Sequence, residues 1–331
     1  MFLYLKQETM TNQATPVLVT GGTGFVGVHI VLKLLQNGYT VKTTLRSLAK
    51  KEVIVQALSE SGMVNLEKLT YVEADLTADG GWDEAAKGCT YVLHVASPFP
   101  LVQPEDENEL IIPAREGTLR VLRAARKAGV KRVVMTSSFA AIGYSINPRG
   151  HIFTENDWTD EHAPVQAYIK SKTIAEKAAW HFISEQGEGL ELTVINPVGI
   201  FGPVIGGIVP ASYEGVVKAI IDGTVTESPQ FTFGVVDVRD VADIHIKAML
   251  LSEAKGQRFL AASDGVVSFY DVAQLIQKER PEKGEMIANL KPVDPTYYID
   301  MSNRKAKDLL NWHPRSKEEA ILASLDSEIT E

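Results

Sequence analysis

Tyr168 and Lys172 stand four residues apart in the run Ala167-Tyr168-Ile169-Lys170-Ser171-Lys172. The surrounding periodicity predicts a helix over residues 166–185, which puts both side chains on one face. Such a pair suits proton transfer. A phenol titrates at about pH 10 in water, too high for acid–base work at neutrality unless a nearby positive charge stabilises the phenolate. The same spacing also occurs as an ordinary exposed pair, so its meaning depends on what converges with it. Thr136-Ser137-Ser138 follows a predicted strand, Arg132–Thr136, and brings hydroxyls to the edge where an open parallel sheet builds its site. Ser138 is preferred to Ser137 for holding a substrate oxygen, because the chain has by then left the strand.

A second cluster lies near the start. Thr20-Gly21-Gly22-Thr23-Gly24-Phe25-Val26-Gly27 separates the apolar run Val17-Leu18-Val19 from a segment in which Phe25, Val26, Ile30, Val31, Leu34 and Leu35 recur at helical spacing. In a strand, turn and helix of this kind, backbone N–H groups and the helix dipole receive a pyrophosphate, and a Cβ at the glycines would forbid the turn or hold the phosphate away. Gly21, Thr23, Gly24, Phe25, Val26 and Gly27 are therefore candidate cofactor contacts. Where NAD-binding sheets carry an acid at the end of the second strand, this chain has Arg46, with Lys50 four residues on. Those two cations suit a 2′-phosphate and favour NADP(H), although an arginine at a strand end is also an ordinary surface residue. Asp75 and Leu76 fall where an adenine ring would rest, and Asp75 reads equally as the cap of a following helix. Val95, Ala96 and Ser97, ending the fourth strand, are placed along the cofactor's ribose.

The elements that must position these groups alternate. Strands are expected at Val17-Leu18-Val19, Val41–Leu45, Leu69–Glu73, 91–95, Arg132–Thr136 and 192–196, with helices between them, which gives a parallel sheet covered on both faces. The fold class is therefore α/β: a doubly wound parallel (Rossmann) sheet with a smaller α-rich substrate lobe. Residues 17–198 plus about 231–262 are assigned to the NADP-binding domain, and 199–230 plus 263–331 to a discontinuous lobe. Residues 1–16 read as a disordered leader, with Met10 as an alternative start.

Across 331 residues the net charge is −9 and no Lys/Arg-rich block appears, which weighs against nucleic-acid or anionic-membrane partners. One cysteine, Cys89, permits no intrachain disulfide and fits a reduced, cytoplasmic setting. His29, His94, His151, His162, His181, His245 and His313 show no metal-ligand spacing and are read as structural or surface residues.

Taken in order, Gly21-x-x-Gly24-x-x-Gly27, Thr136-Ser137-Ser138, Tyr168-x-x-x-Lys172, Asn196-Pro197 and Asp237-Val238-Arg239-Asp240-Val241-Ala242-Asp243 resemble the extended short-chain dehydrogenase/reductases. Val133–Ser138 and Ser171–Trp180 are similar to the branch containing dihydroflavonol reductase, cinnamoyl-CoA reductase and microbial aldehyde/ketone reductases. The resemblance spans about Val17 to Ala262. It implies Ser138, Tyr168 and Lys172 as the catalytic triad, with Lys172 also on the nicotinamide ribose and Pro197 and Val198 against the nicotinamide ring. The asparagine that many members carry as a fourth catalytic element is missing from Pro113-Ala114-Arg115-Glu116-Gly117-Thr118.

An NADPH-dependent reduction of a small neutral aldehyde, ketone or keto ester is the expected activity, in a monomer or homodimer. Phe99, Phe139, Phe201, Ile205 and Tyr213 are candidate pocket walls, each also explicable as core. Two other readings compete: a nucleotide-sugar epimerase or dehydratase with a retained nicotinamide, against which Arg46 argues, and a non-catalytic NADP(H) sensor, against which the intact Tyr168 and Lys172 argue.

Overall fold

The computed structural model describes residues 16–98 and 104–327. Phe99 and nearly all of the expected leader fall outside the described residues. Seven strands form the main sheet: β1 (Val17–Thr20), β2 (Val41–Leu45), β3 (Leu69–Glu73), β4 (Tyr91–His94), β5 (Arg132–Thr136), β7 (Glu191–Pro197) and β10 (Arg258–Ala261). Their order across the sheet is β10-β7-β5-β4-β1-β2-β3 and every pairing is parallel. The order reverses between β1 and β4. A crevice opens at that point beyond the carboxyl ends of the strands, because the connections leaving the two strands run to opposite faces.

The central strands β1, β4 and β5 are mainly apolar, as parallel strands buried on both faces must be, while the edge strand β3 exposes Thr70 and Glu73. Val17, Val19, Val28, Ile30 and Leu34 belong to the core on one face, while Val92, Val133, Val121, Ala179 and Phe182 belong to the core on the other. At the end away from the crevice, Arg132 is buried and donates to Glu191, to the Ala248 carbonyl at 2.7 Å and to the Leu251 carbonyl at 2.6 Å. This guanidinium locks β5, β7 and the helix Val238–Leu250 together, its charge compensated by hydrogen bonds on every side that the structure gives it.

The smaller lobe carries the helices expected of it, among them Phe269–Glu279 and Lys317–Leu325, beside short strands. It is built on a second sheet in which β8 (Gly199–Phe201) pairs in parallel with β9 (Phe233–Asp237), and β9 pairs antiparallel with β11 (Val266–Val267). The strand within 231–262 that the sequence places in the nucleotide half pairs in this second sheet, while Arg258–Ala261 of the same segment joins the main one. A buried run such as Phe233-Gly234-Val235-Val236-Asp237 has no periodicity that says which sheet it joins. The helix that follows, capped by the Asp237 carboxylate on Arg239 N at 2.8 Å, returns to the main sheet.

Helix Phe269–Glu279 begins with a capping box in which Ser268 and Asp271 satisfy each other's backbone N–H. Trp312, fully buried, donates to the Asp240 carbonyl at 3.0 Å and pins the C-terminal segment onto the larger domain. A short bridge, β6 (Ile152–Phe153) with β12 (Asp300–Met301), closes the substrate side. No helix among the described residues is long and apolar enough to cross a membrane.

Candidate active site

Gly21 leaves β1 with φ +74°, a conformation that favours glycine. Its carbonyl then accepts from Gly24 N at 3.0 Å, tightening the turn. Gly27 is needed for a different reason: a Cβ there would sit 2.1 Å from the Gly21 carbonyl oxygen, so only glycine lets the helix Phe25–Gln36 begin this close to the strand. Gly24 caps that helix with no side-chain hydrogen bond, and the first turn carries no acid. The first N–H groups and the positive end of the dipole thus face a cavity of about 1160 Å³ lined by Gly21, Thr23, Gly24, Phe25, Val26 and Gly27. This cradle, which a Cβ would fill, fits a pyrophosphate.

Thr20, paired in register with His94, closes the back of the cradle. Its hydroxyl oxygen accepts from Val95 N and Ala96 N, each at 3.0 Å, and lies 2.9 Å from His94 Nδ1. With both lone pairs used, the single O–H donates to Nδ1, which leaves the proton on Nε2. Burial, and then the Lys172 charge, hold the His94 pKa down at about 3, so the imidazole is neutral. The sequence offered Thr20 only as the first residue of the glycine cluster.

Arg46 lines the cavity, exposed, and hydrogen-bonds to nothing among the described residues. Asp75 and Leu76 line it too. Both readings of Asp75 have a basis: its Oδ1 accepts from Thr77 N at 2.8 Å and the Thr77 hydroxyl at 2.7 Å, as a capping residue does, and the residue still borders the cavity. Those two hydrogen bonds hold its carboxyl below the usual range. Val95, Ala96, Ser97 and Val198 also line the cavity, whereas Pro197 is buried behind it and Lys50 is exposed and lies off it. Lys50 ends a short 3₁₀ turn, Leu48–Lys50, that runs directly into the helix Lys51–Glu60.

The two serines separate cleanly. Ser137 is buried and its hydroxyl donates to Glu176 Oε2 at 2.6 Å. Ser138 is half-buried, accepts from Ala140 N at 3.1 Å and hydrogen-bonds the Tyr168 phenol. Tyr168 and Lys172 project from the helix Ala167–Gln186 into the same cavity, with Lys172 Nζ 5.8 Å from the centre of the Tyr168 ring. An exposed surface pair is excluded, since Lys172 is 6% exposed.

Burial pulls the Lys172 pKa down to about 8, opposed by the Glu176 carboxylate. Burial pushes the Tyr168 phenol up to about 12, opposed by the hydrogen bond from Ser138 and reinforced by the Tyr144 phenol. Desolvation of the phenolate leads these effects. The Tyr168 phenol therefore keeps its proton at neutral pH. Lys172 titrates instead, and its charge is lost as pH rises through about 8. Activity that depends on the ammonium should therefore be level below pH 7 and decline above about 8, and a pH–rate profile that stays flat to pH 9.5 would remove Lys172 from the mechanism.

Of the expected wall residues among those described, Phe139 lines the cavity and Phe201, Ile205 and Tyr213 do not. Phe201 is fully buried, stacked 6.2 Å from Phe233 in the lobe's own core. Ile205 packs against the core of the larger domain and Tyr213 against that of the lobe. Each carries apolar surface in a loop beyond the strand ends or in the second lobe, and apolar side chains go first to cores. The actual wall includes Tyr144, Ile146, Phe153, Phe231, Phe233 and Ile299. Tyr144 and Ile146 lie just beyond Ser138 in the loop after β5, a position where a sheet-edge site could have been sought. Arg46 and Lys172 are the basic residues of the lining among the described residues.

A model of the 3-beta hydroxysteroid dehydrogenase/isomerase family matches residues 18–273. The chain belongs to this family. Among its relatives, the NADPH-dependent methylglyoxal reductase GRE2 of Saccharomyces cerevisiae is 32% identical over 327 residues, covering 92% of this chain and 95% of that one. Cinnamoyl-CoA reductase CAD2 of Medicago truncatula is 34% identical over 307 residues, covering 90% and 91%. The solved structure of yeast methylglyoxal/isovaleraldehyde reductase Gre2 complexed with NADPH superimposes with a TM-score of 0.84 at 30% identity, over 94% of this chain and 97% of that one. The family match runs from within β1 into the helix Phe269–Glu279, and so covers the glycine cradle, the serine turn and the tyrosine helix together.

Proposed function

We propose that this chain is an NADPH-dependent oxidoreductase that reduces a small neutral aldehyde, ketone or keto ester to the alcohol. One observation carries the reading: a single cavity joins the glycine cradle and Arg46 at one end to Ser138, Tyr168 and Lys172, and continues into an apolar wall with no lysine or arginine among its described residues. Cofactor-sized and substrate-sized space meet at the phenol. The named activities of the yeast and Medicago relatives, both reductases, agree with this.

Gly21 to Gly27 would hold the pyrophosphate, Arg46 the 2′-phosphate, and Val95 to Ser97 with Lys172 the ribose. When bound, NADPH supplies the hydride that adds to the carbonyl carbon. The Ser138 hydroxyl donates to the carbonyl oxygen and fixes its place beside Tyr168. Tyr168 gives its phenolic proton to that oxygen as negative charge develops there. The Lys172 ammonium, close to the phenol in a dry site, offsets the charge left on the phenolate. The apolar wall keeps water away from the reacting carbonyl and selects uncharged substrates. A nucleotide-sugar substrate is disfavoured, because its diphosphate would lie against Phe139, Phe153, Phe231 and Phe233 with no cation to meet it.

The test is loss of absorbance at 340 nm with a panel of aldehydes, ketones and keto esters, run with NADPH and NADH in parallel. Net consumption of NADPH is expected, and substrate conversion without any net change in cofactor would favour the epimerase reading. Arg46→Ala probes the cofactor choice. A hydrogen bond to a charged group is worth about 1.5–3 kcal/mol, so kcat/KM with NADPH should fall about 10- to 100-fold while that with NADH stays within about threefold. Equal losses with both cofactors would show that Arg46 does not read the 2′-phosphate.

A further inference from the structure

The reaction gives no step to Glu176, yet its carboxylate ties the helix that carries Tyr168 and Lys172 to the turn that carries Ser138. It lies one turn beyond Lys172 on the same helix and is fully buried. Oε2 accepts from the Ser137 hydroxyl at 2.6 Å and from Asn196 Nδ2 at 2.8 Å. Oε1 accepts from Arg258 Nε at 2.5 Å and from Trp180 Nε1 at 3.3 Å. These partners come from the exit of β5, from β7, from β10 and from the tyrosine helix itself. Asn196 Nδ2 also donates to the Ser138 carbonyl at 3.2 Å, so the carboxylate reaches Ser138 by two routes.

We propose that Glu176 is a positioning residue for the reaction: its carboxylate fixes the Ser137-Ser138 turn against the Lys172 turn of the helix, and so sets the geometry in which Ser138, Tyr168 and Lys172 meet the carbonyl oxygen. The inference rests on the reductase reading above. Shape alone does not account for the residue. Four donors converge on two oxygens, and a glutamine would offer one acceptor oxygen and turn its own N–H groups toward the rest. Charge is required as well, because the carboxylate pairs Arg258, which is itself held by the Glu155 carbonyl at 2.7 Å, the Asp157 carbonyl at 2.9 Å and the face of Trp158.

The groups facing Lys172 are Tyr168 and Glu176 on its own helix and the neutral His94 on β4. Glu176 supplies the negative charge among them and opposes the effect of burial on Lys172. Without it, the ammonium should lose its proton at lower pH.

The decisive comparison is Glu176→Gln against wild type and against Glu176→Asp, which keeps the charge but shortens the reach. For Glu176→Gln, turnover at pH 7 should fall about 30-fold, with KM and the dissociation constant for NADPH within about threefold. The upper limb of the pH–rate profile should move down by about one pH unit. Glu176→Asp should restore the limb and only part of the turnover. Should Glu176→Gln fail to fold, Ser137→Ala takes its place, since the carboxylate and its Arg258 partner remain; it should lower turnover about fivefold with the limb unmoved.

Wild-type turnover in whichever of Glu176→Gln or Ser137→Ala folds overturns the inference. Wild-type enzyme that consumes no NADPH with any carbonyl instead overturns the reductase reading. In that event the midpoint of Lys172, followed by NMR in protein carrying 13C-labelled lysine, decides the matter without turnover. A downward shift in Glu176→Gln supports the inference, and an unmoved midpoint sinks it.

Discussion

Replacing Tyr168 by Phe is expected to lower turnover about 10³-fold while leaving the dissociation constant for NADPH within about threefold. A positioned general acid is worth about 10²–10⁴ in rate, and the upper part of that range applies where water cannot substitute for it. Here burial raises the phenol to about 12, so that it carries its proton throughout the neutral range. Phenylalanine preserves the ring that lies 5.8 Å from Lys172 Nζ, so the variant removes a proton donor and little packing. Stopped-flow single turnover with prebound NADPH separates the chemical step from product release. Retention of more than a tenth of the wild-type rate at pH 7 would mean that another group protonates the alkoxide.

Gly27→Ala should cost nearly all useful cofactor binding. The added Cβ would lie 2.1 Å from the Gly21 carbonyl oxygen and 2.9 Å from its carbon, both backbone atoms that no rotamer change can move. Either the helix Phe25–Gln36 backs away from β1 or the Gly21 turn opens, and in both cases the N–H groups that face the cavity lose their spacing. Overpacking of this kind costs about 1–3 kcal/mol, and strain confined to the cradle falls directly on affinity, so NADPH should bind about 100-fold more weakly. Gly24→Ala is the internal control for folding, since its Cβ would meet only the Gly21 oxygen at 3.3 Å. Titration by fluorescence transfer to bound NADPH measures both variants. Undiminished affinity in Gly27→Ala, with a melt like that of wild type, would show that the pyrophosphate is held elsewhere.

Much of this molecule is written locally. The glycine spacing from Gly21 to Gly27 states a strand-to-helix turn with close approach, because the positive φ of Gly21 and the contact of Gly27 with the Gly21 carbonyl are constraints set within eight residues. Tyr168 and Lys172 share a face by helical geometry alone, and the alternation of strands and helices up to β7 specifies a parallel doubly wound sheet. The position of Arg46 follows from the length of β2. Such features need no knowledge of distant partners.

What the sequence left open depends on which distant element comes to rest against which. Ser137 and Ser138 are neighbours of one type, and only the arrival of Glu176 from the tyrosine helix commits one hydroxyl to structure and leaves the other to the cavity. Phe201 and Phe233 are both apolar and both near strand ends. The second sheet turns one into the lobe's core and leaves the other on the cavity wall. The pKa of Tyr168 likewise could not come from Lys172's spacing, because desolvation is a property of everything packed around the phenol. Local rules place a side chain on an element. Burial, which sums over the whole fold, decides whether that side chain faces substrate, core or solvent.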